Sequence, residues 1–208
     1  RPTHGVSRGQ SVVKDTAEPR LEEHLQTLGK GSFKPGLLLD YIRALILFEN
    51  ADGTLIKKIA GYHQFHAVRE AVKATLIAAQ QPAHNTAAEP RADYASRVEP
   101  GSGRAGVVWH TPGSGKSISM VCYAGMLLAQ AQMNNPILVV VTDRNDLDGQ
   151  LFNTFSMAAD TLKQTPVQAA DRDDLREILN SRQAGGIVFT TIQKFALLAG
   201  EEHHPQFT

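Results

Sequence analysis

His110-Thr-Pro-Gly-Ser-Gly-Lys-Ser117 is the stretch on which the reading of this chain turns. It follows an apolar run, Gly106-Val-Val-Trp-His110, expected to be a strand, and it precedes a helical pattern that begins near Ile118. A strand, a glycine-rich loop and a helix in that order gather several backbone N–H groups and a helix N-terminus around one point, where a phosphate chain can sit. Lys116 supplies a positive charge and Ser117 a hydroxyl for Mg²⁺, and Thr111, Gly113, Ser114 and Gly115 complete the candidate nucleotide contacts. His110 stands where the general pattern has a small residue, usually glycine. The plain alternative is an ordinary glycine-rich turn between a strand and a helix. Either way, a phosphate loop implies that a nucleotide binds and leaves open what is done with it.

Downstream the pattern alternates. A helix is expected over 116–133, a strand over Ile137-Leu-Val-Val-Val-Thr142, a helix over 147–158, an extended piece at 166–169, a helix over 173–180, a strand over Gly186-Ile-Val-Phe-Thr-Thr191 and a helix over 192–198. Continuous Val and Ile runs indicate strands buried on both faces, as in a parallel sheet covered by helices, so the predicted fold class is α/β. Ligands of such sheets bind at the carboxyl ends of the strands, which places the loop, Thr142-Asp-Arg144 and Thr190-Thr191 on one expected rim. Asp143 is followed by Arg rather than Glu and reads as a cap or loop residue, not as a metal-holding acid. Arg144, Thr190 and Thr191 are candidate contacts to a nucleic-acid backbone. Capping of the helices that follow is the alternative.

Upstream, residues 1–20 are polar and aperiodic, and Leu21, Leu25 and Leu28 have the spacing of a short helix. Residues 36–49 are apolar around most of a helical circumference, the pattern of a connector buried between neighbours. A turn at 51–54, a short strand at 55–59 and a helix over 63–80 follow, the last with Phe65, Val68, Val72, Leu76 and Ile77 on one stripe. Residues 81–106, with Pro82, Pro90 and Pro100, read as a long surface loop. The expected division is a tail and connector at 1–50 and a nucleotide-binding lobe at 51–208. Within the 63–80 helix, the amide of Gln64 offers a donor and an acceptor that suit the N6 and N7 edge of adenine, and Tyr62 offers a stacking face. A solvated glutamine beside a buried tyrosine is the alternative. His63, His66 and Glu70 share a helical face, but nothing nearby completes a zinc ligand set.

At 208 residues the chain accommodates one core and an appendage. Lys plus Arg and Asp plus Glu both number 21, so no global basic field attracts nucleic acid and any such surface is local. A lone cysteine, Cys122, excludes an intrachain disulfide and a cysteine-based zinc site, and it suits a reducing cytosol. No apolar run reaches the roughly 18 residues of a membrane span and no signal-peptide core opens the chain, so the expectation is a cytoplasmic protein with no membrane partner. A first residue other than Met suggests a piece of something longer.

Four motifs occur in order: Tyr62-His-Gln-Phe-His-Ala-Val-Arg69, Val107-Val-Trp-His-Thr-Pro-Gly-Ser-Gly-Lys-Ser117, Val139-Val-Val-Thr-Asp-Arg-Asn-Asp-Leu-Asp-Gly-Gln-Leu151 and Ile187-Val-Phe-Thr-Thr-Ile-Gln-Lys-Phe195. Together they resemble the motor region of the restriction (R) subunit of type I restriction-modification enzymes, a superfamily 2 helicase-like translocase. The segment 33–49 also resembles the piece that joins that family's nuclease domain to its motor. The resemblance implies a first RecA-like lobe with a helical N-terminal connector. It implies ATP and Mg²⁺ as cofactors, with Gln64 as the adenine-recognising glutamine, Gly113 to Ser117 as the phosphate and magnesium loop and Lys116 as the catalytic group. It further implies that Thr142 to Gln150 and Thr190 with Thr191 contact DNA, and that ATP-driven translocation leads to cleavage of unmodified DNA in a complex with modification (methyltransferase) and specificity subunits. The family's nuclease motif, its Asp-Glu-Ala-His motif and its second motor lobe do not occur in these 208 residues, so the chain by itself is not expected to turn over nucleotide. Two other readings stand beside this one. The first is a superfamily 2 helicase or remodeller lobe without a nuclease; the second is a non-enzymatic module that docks subunits through 36–49.

Overall fold

Pro35 opens the first helix, α1 (Pro35–Ala44), where its missing N–H costs nothing because a first-turn N–H has no intrahelical partner. The computed structural model describes residues 35–51, 54–80, 97–143, 145–182 and 184–197. The helix expected at 21–28 lies outside these residues. The described chain divides into two compact units, one running to Ile42 and resuming at Gly61–Lys116, the other comprising Arg43–Ala60 and the chain from Ser117 onward.

In the first unit the main element is α2 (Tyr62–Ala79), which buries Gln64, Phe65, Val68, Val72, Ala74 and Ala78. Tyr41 of α1 packs its ring 5.4 Å from that of Phe65, and the Arg69 guanidinium lies 5.3 Å from the centre of the same ring. The last carbonyls of α2, which have no partner within the helix, accept from the loop that follows in space: Gly101 N–H donates to Ile77 O at 3.2 Å and Gly103 N–H to Ala78 O at 3.0 Å. Both glycines have positive φ, 72° and 66°, a conformation that a side chain would disfavour. The strand expected at 106–110 does not form. Val107, Val108 and Trp109 are 75%, 56% and 70% exposed, and no strand among the described residues pairs with them. A strand needs a neighbour to take up its N–H and C=O groups, and apolar composition does not supply one.

The second unit begins with a correction. The helix expected over 36–49 stops at Ala44, and Ile46–Ala51 (β1) pairs antiparallel with Thr54–Ile59 (β2), from Ile46↔Ile59 to Ala51↔Thr54. Asp52-Gly53 separates the strands in sequence, a strong hairpin signal that outweighs the helical run before it. Leu45, Leu47 and Ala60 are buried here, while Phe48, Leu55 and Ile59 are exposed.

Helix α3 (Lys116–Leu128) buries Val121, Cys122, Ala124 and Leu127 and ends earlier than its pattern suggested, with a separate 3-10 turn at Ala131–Met133. Burial pushes the Cys122 thiol up to about 12, so it stays protonated and acts as a small apolar group. Then come β3 (Leu138–Thr142), α4 (Asn145–Met157), α5 (Ala159–Leu162), β4 (Val167–Gln168), α6 (Arg172–Ser181) and β5 (Ile187–Thr191), followed by a 3-10 turn, Ile192–Phe195, where a helix was expected. The strands form a parallel sheet in the order β3-β5-β4, as expected of an α/β fold. Central β5 is buried at every residue. Edge strand β3 alternates, with Val139 and Val141 exposed, so burial on both faces holds for β5 alone. Phe189 is clasped by Phe152 and Phe155 of α4, ring centres 5.5 and 5.0 Å away. Val188 packs with Ala169 and Leu175. Asp171 caps α6 by accepting from the Asp174 N–H at 2.9 Å. Among the described residues no helix is long and apolar enough to cross a membrane.

Candidate nucleotide-binding site

The loop leading into α3 is shaped by two glycines. Gly113 and Gly115 both have φ of 78°, and Ser114 between them is not among the residues with positive φ. Alternation of this kind turns successive N–H groups toward one concave side, an anion-receiving nest. A Cβ on Gly113 would meet nothing within 4 Å, so conformation rather than space requires glycine there.

Gln64 fixes which way the loop faces. Its side chain is 4% exposed. Its Nε2 donates to Ser114 O at 3.2 Å and to Gly115 O at 2.8 Å, and its Oε1 accepts from the Gly61 N–H at 2.6 Å. Across a planar trans peptide the C=O and N–H point in opposite directions. With both carbonyls held toward Gln64, the N–H groups of Gly115 and Lys116 are aimed away from it, out of the loop. The bond from Gly61 is one half of a capping box, in which the third residue of a helix reaches back to the cap, so the start of α2 and the loop are tied through one amide. Both N–H donors of that amide are therefore engaged by the loop. The adenine edge that the sequence suggested for it would have to share its oxygen.

Lys116 is exposed and donates from Nζ to Thr111 O at 3.1 Å. Ser114 N–H donates to the same carbonyl at 3.3 Å, closing the turn. His63 Nε2 lies 3.5 Å from Ser114 O, and its ring is 5.7 Å from that of His110. Burial, followed by the neighbouring His63 and Lys116, holds the His110 imidazole below the ordinary 6.5. Tyr62, the candidate stacking ring, is exposed and meets the His66 ring edge-on at 4.3 Å. An alternating-φ nest, outward-aimed amides, a helix start and a lysine make a donor set that fits a phosphate chain. Ser117, next in the chain, is the candidate for Mg²⁺. Among the described residues no group of three or more His, Cys, Asp or Glu is arranged to hold a metal, and His63, His66 and Glu70 do not form one.

The second unit carries its own polar rim at the carboxyl ends of the strands. Register places Thr142 beside Thr191, as the shared-rim expectation required of those two clusters. Thr142 Oγ1 donates to Thr190 O at 3.5 Å. Thr190 and Thr191 are 0% and 2% exposed, and the Thr190 hydroxyl donates to Thr191 O at 3.4 Å. Both side chains are thus buried at the end of β5. Arg144 lies outside the described residues. Asp143 is exposed, and its carbonyl accepts from Gln193 Nε2 at 3.0 Å, in keeping with a loop residue.

Sequence reasoning passed over the cleft next to this rim, of about 490 Å³ and lined by Asp148, Gln168, Ala169, Ala170 and Lys194. Asp148 is 2% exposed; its Oδ2 accepts from Gln168 Nε2 at 2.6 Å, and its Oδ1 has no partner among the described residues. Lys194 Nζ donates to Ala169 O. These residues come from α4, β4 and the turn after β5, and only parallel pairing brings them together. His110 was noticed solely as a departure from the loop pattern, although its place in the loop was the available signal.

Parallel strands covered by helices, with a lysine-bearing phosphate loop at a helix start, define a P-loop nucleotide-binding protein. Residues 63–208 match the SWI2/SNF2 ATPase family, from the helix that carries Gln64 onward. The chain belongs to that family. It is 52% identical over 185 residues to the Type I restriction enzyme HindI endonuclease subunit of Haemophilus influenzae, a match covering 88% of this chain and 16% of the relative. It is 35% identical over 200 residues to the Putative type I restriction enzyme MjaIXP endonuclease subunit of Methanocaldococcus jannaschii, covering 96% of this chain and 17% of the relative. The chain therefore spans about one sixth of the length of these relatives. No solved structure matches it.

Proposed function

We propose that this chain is the ATP-binding part of the motor of a type I restriction endonuclease subunit, coupling ATP hydrolysis to DNA translocation and to cleavage of unmodified DNA alongside modification and specificity subunits. The observation that carries the nucleotide half is the loop at 111–116, held by Gln64 with the N–H groups of Gly115 and Lys116 aimed outward. The restriction half is supported by the two relatives. Lys116 leaves Thr111 O to neutralise the terminal phosphates, and Tyr62 stacks on the base. Mg²⁺, when bound, offsets phosphate charge, and the Ser117 hydroxyl is the group that would hold it. DNA lies along the carboxyl rim of the sheet, with Arg144 and the end of β5 at Thr190–Thr191 setting its path. Helix α1 serves as the connector from an upstream domain.

The test uses the full-length protein with unmodified DNA. Lys116→Ala lowers ATP turnover by about a hundredfold or more, since the developing phosphate charge loses its main partner. Turnover that survives this change sinks the proposal. The SWI2/SNF2 match favours a second reading, a DNA translocase or remodeller without a nuclease. ATP-dependent movement on DNA with no strand cleavage would select it.

A further inference from the structure

His110 is the phosphate-loop residue to which the nucleotide reading gives no task. It occupies the first position of the loop, where a glycine would bring no functional group. Its Nδ1 is enclosed and has no hydrogen-bond partner among the described residues. The groups that act on it come from two stretches of chain: His63 on α2, with its ring 5.7 Å away, and Lys116 at the start of α3. A half-buried imidazole facing two basic groups resists protonation, and the neutral ring has one N–H donor.

A polyphosphate reverses the sign of that environment. An anion lying against Lys116, whose Nζ reaches the carbonyl of Thr111 next to His110 at 3.1 Å, favours the charged ring, and the protonated ring has two N–H donors in place of one. We propose that His110 is a further phosphate-binding residue of the loop, neutral when the loop is empty and protonated when a nucleotide polyphosphate lies against Lys116, so that nucleotide binding takes up a proton. This rests on the nucleotide-site reading. The linkage has a definite sign. Because the bound-state pKa is raised above the free-state one, the extra affinity is complete below the free-state value, itself under the ordinary 6.5, and is lost as pH rises through the bound-state value.

The test is titration calorimetry of ADP with Mg²⁺ on the full-length protein between about pH 6 and about pH 8, the range in which histidine titrates. Relative to His110→Gln, which keeps the nucleotide's own ionisation and every other group of the site, the wild type gains about three- to tenfold in affinity at the acid end. In buffers of different ionisation heat it takes up a fraction of a proton that the variant does not. His63→Gln removes the neighbouring basic ring and moves the midpoint to higher pH, which keeps the proposal testable if His110→Gln does not fold. Identical pH profiles and proton counts for wild type and His110→Gln overturn the proposal while leaving the nucleotide site standing, and so does a midpoint that His63→Gln leaves in place. Failure of the wild type to bind ADP at any pH overturns both.

Discussion

Val107-Val-Trp109 and Ile187-Val-Phe189 are apolar triplets of similar character that end in opposite environments. The first is 75%, 56% and 70% exposed along irregular backbone, and the second is fully buried in the centre of a sheet. Their side chains do not account for the difference. β5 has β3 on one edge and β4 on the other, so its N–H and C=O groups find partners on both sides, and α4 covers it with Phe152 and Phe155. No described strand does this for 107–109. An apolar run becomes a strand only where a neighbour takes up its backbone, because an unpaired polar backbone cannot be carried into a core.

The comparison breaks most visibly at Phe189. Phe189→Ala empties a space between two rings at the centre of the sheet and should cost about 3–5 kcal/mol, read from urea unfolding. A loss near that for an exposed surface site would mean that β5 is not the core strand. A middle-sized effect is expected at Gln64, where the issue is a hydrogen-bonded loop rather than packing. Gln64→Ala should weaken ATP and GTP alike by about tenfold, because it frees the backbone that aims the phosphate-binding amides. Gln64→Glu should do worse, since it sets an acceptor against two carbonyls. A loss confined to ATP would instead support adenine reading by Gln64. The smallest effect is expected at Trp109, where Trp109→Ala should change stability by less than about 0.5 kcal/mol. A larger loss would show that 107–109 is covered by a partner in the intact protein.

Much of the fold could be read from local pattern. The helix carrying Gln64 was placed within a residue of α2, and the parallel strands at 138–142 and 187–191 were found from their Val and Ile runs. Loop chemistry was equally legible, because Gly113 and Gly115 are needed where φ is positive and Lys116 begins a helix. Misreadings arose where pairing overrides pattern. Ile46-Leu-Phe48 continues a helical stripe from α1, yet it turns into β1 because β2, only two residues further along the chain, pairs with it. Thr190 and Thr191 were legible as a strand end, while only the fold makes their strand central and their side chains buried.

The sequence by itself determined the helix that carries Gln64, the strands at 138–142 and 187–191, the glycines and lysine of the phosphate loop and the family to which they point, because each depends on residues close together in the chain. Tertiary structure decided the rest. It directed the Gln64 amide to carbonyls fifty and fifty-one positions away, set His110 beside His63, and joined Asp148 to Gln168 at the sheet rim. It also left Val107-Val-Trp109 without a strand partner among the described residues. The physical reason is common to all four. A hydrogen bond or a neighbouring charge between distant residues depends on where the fold brings each end, and periodicity and composition report only on the near neighbours of each residue.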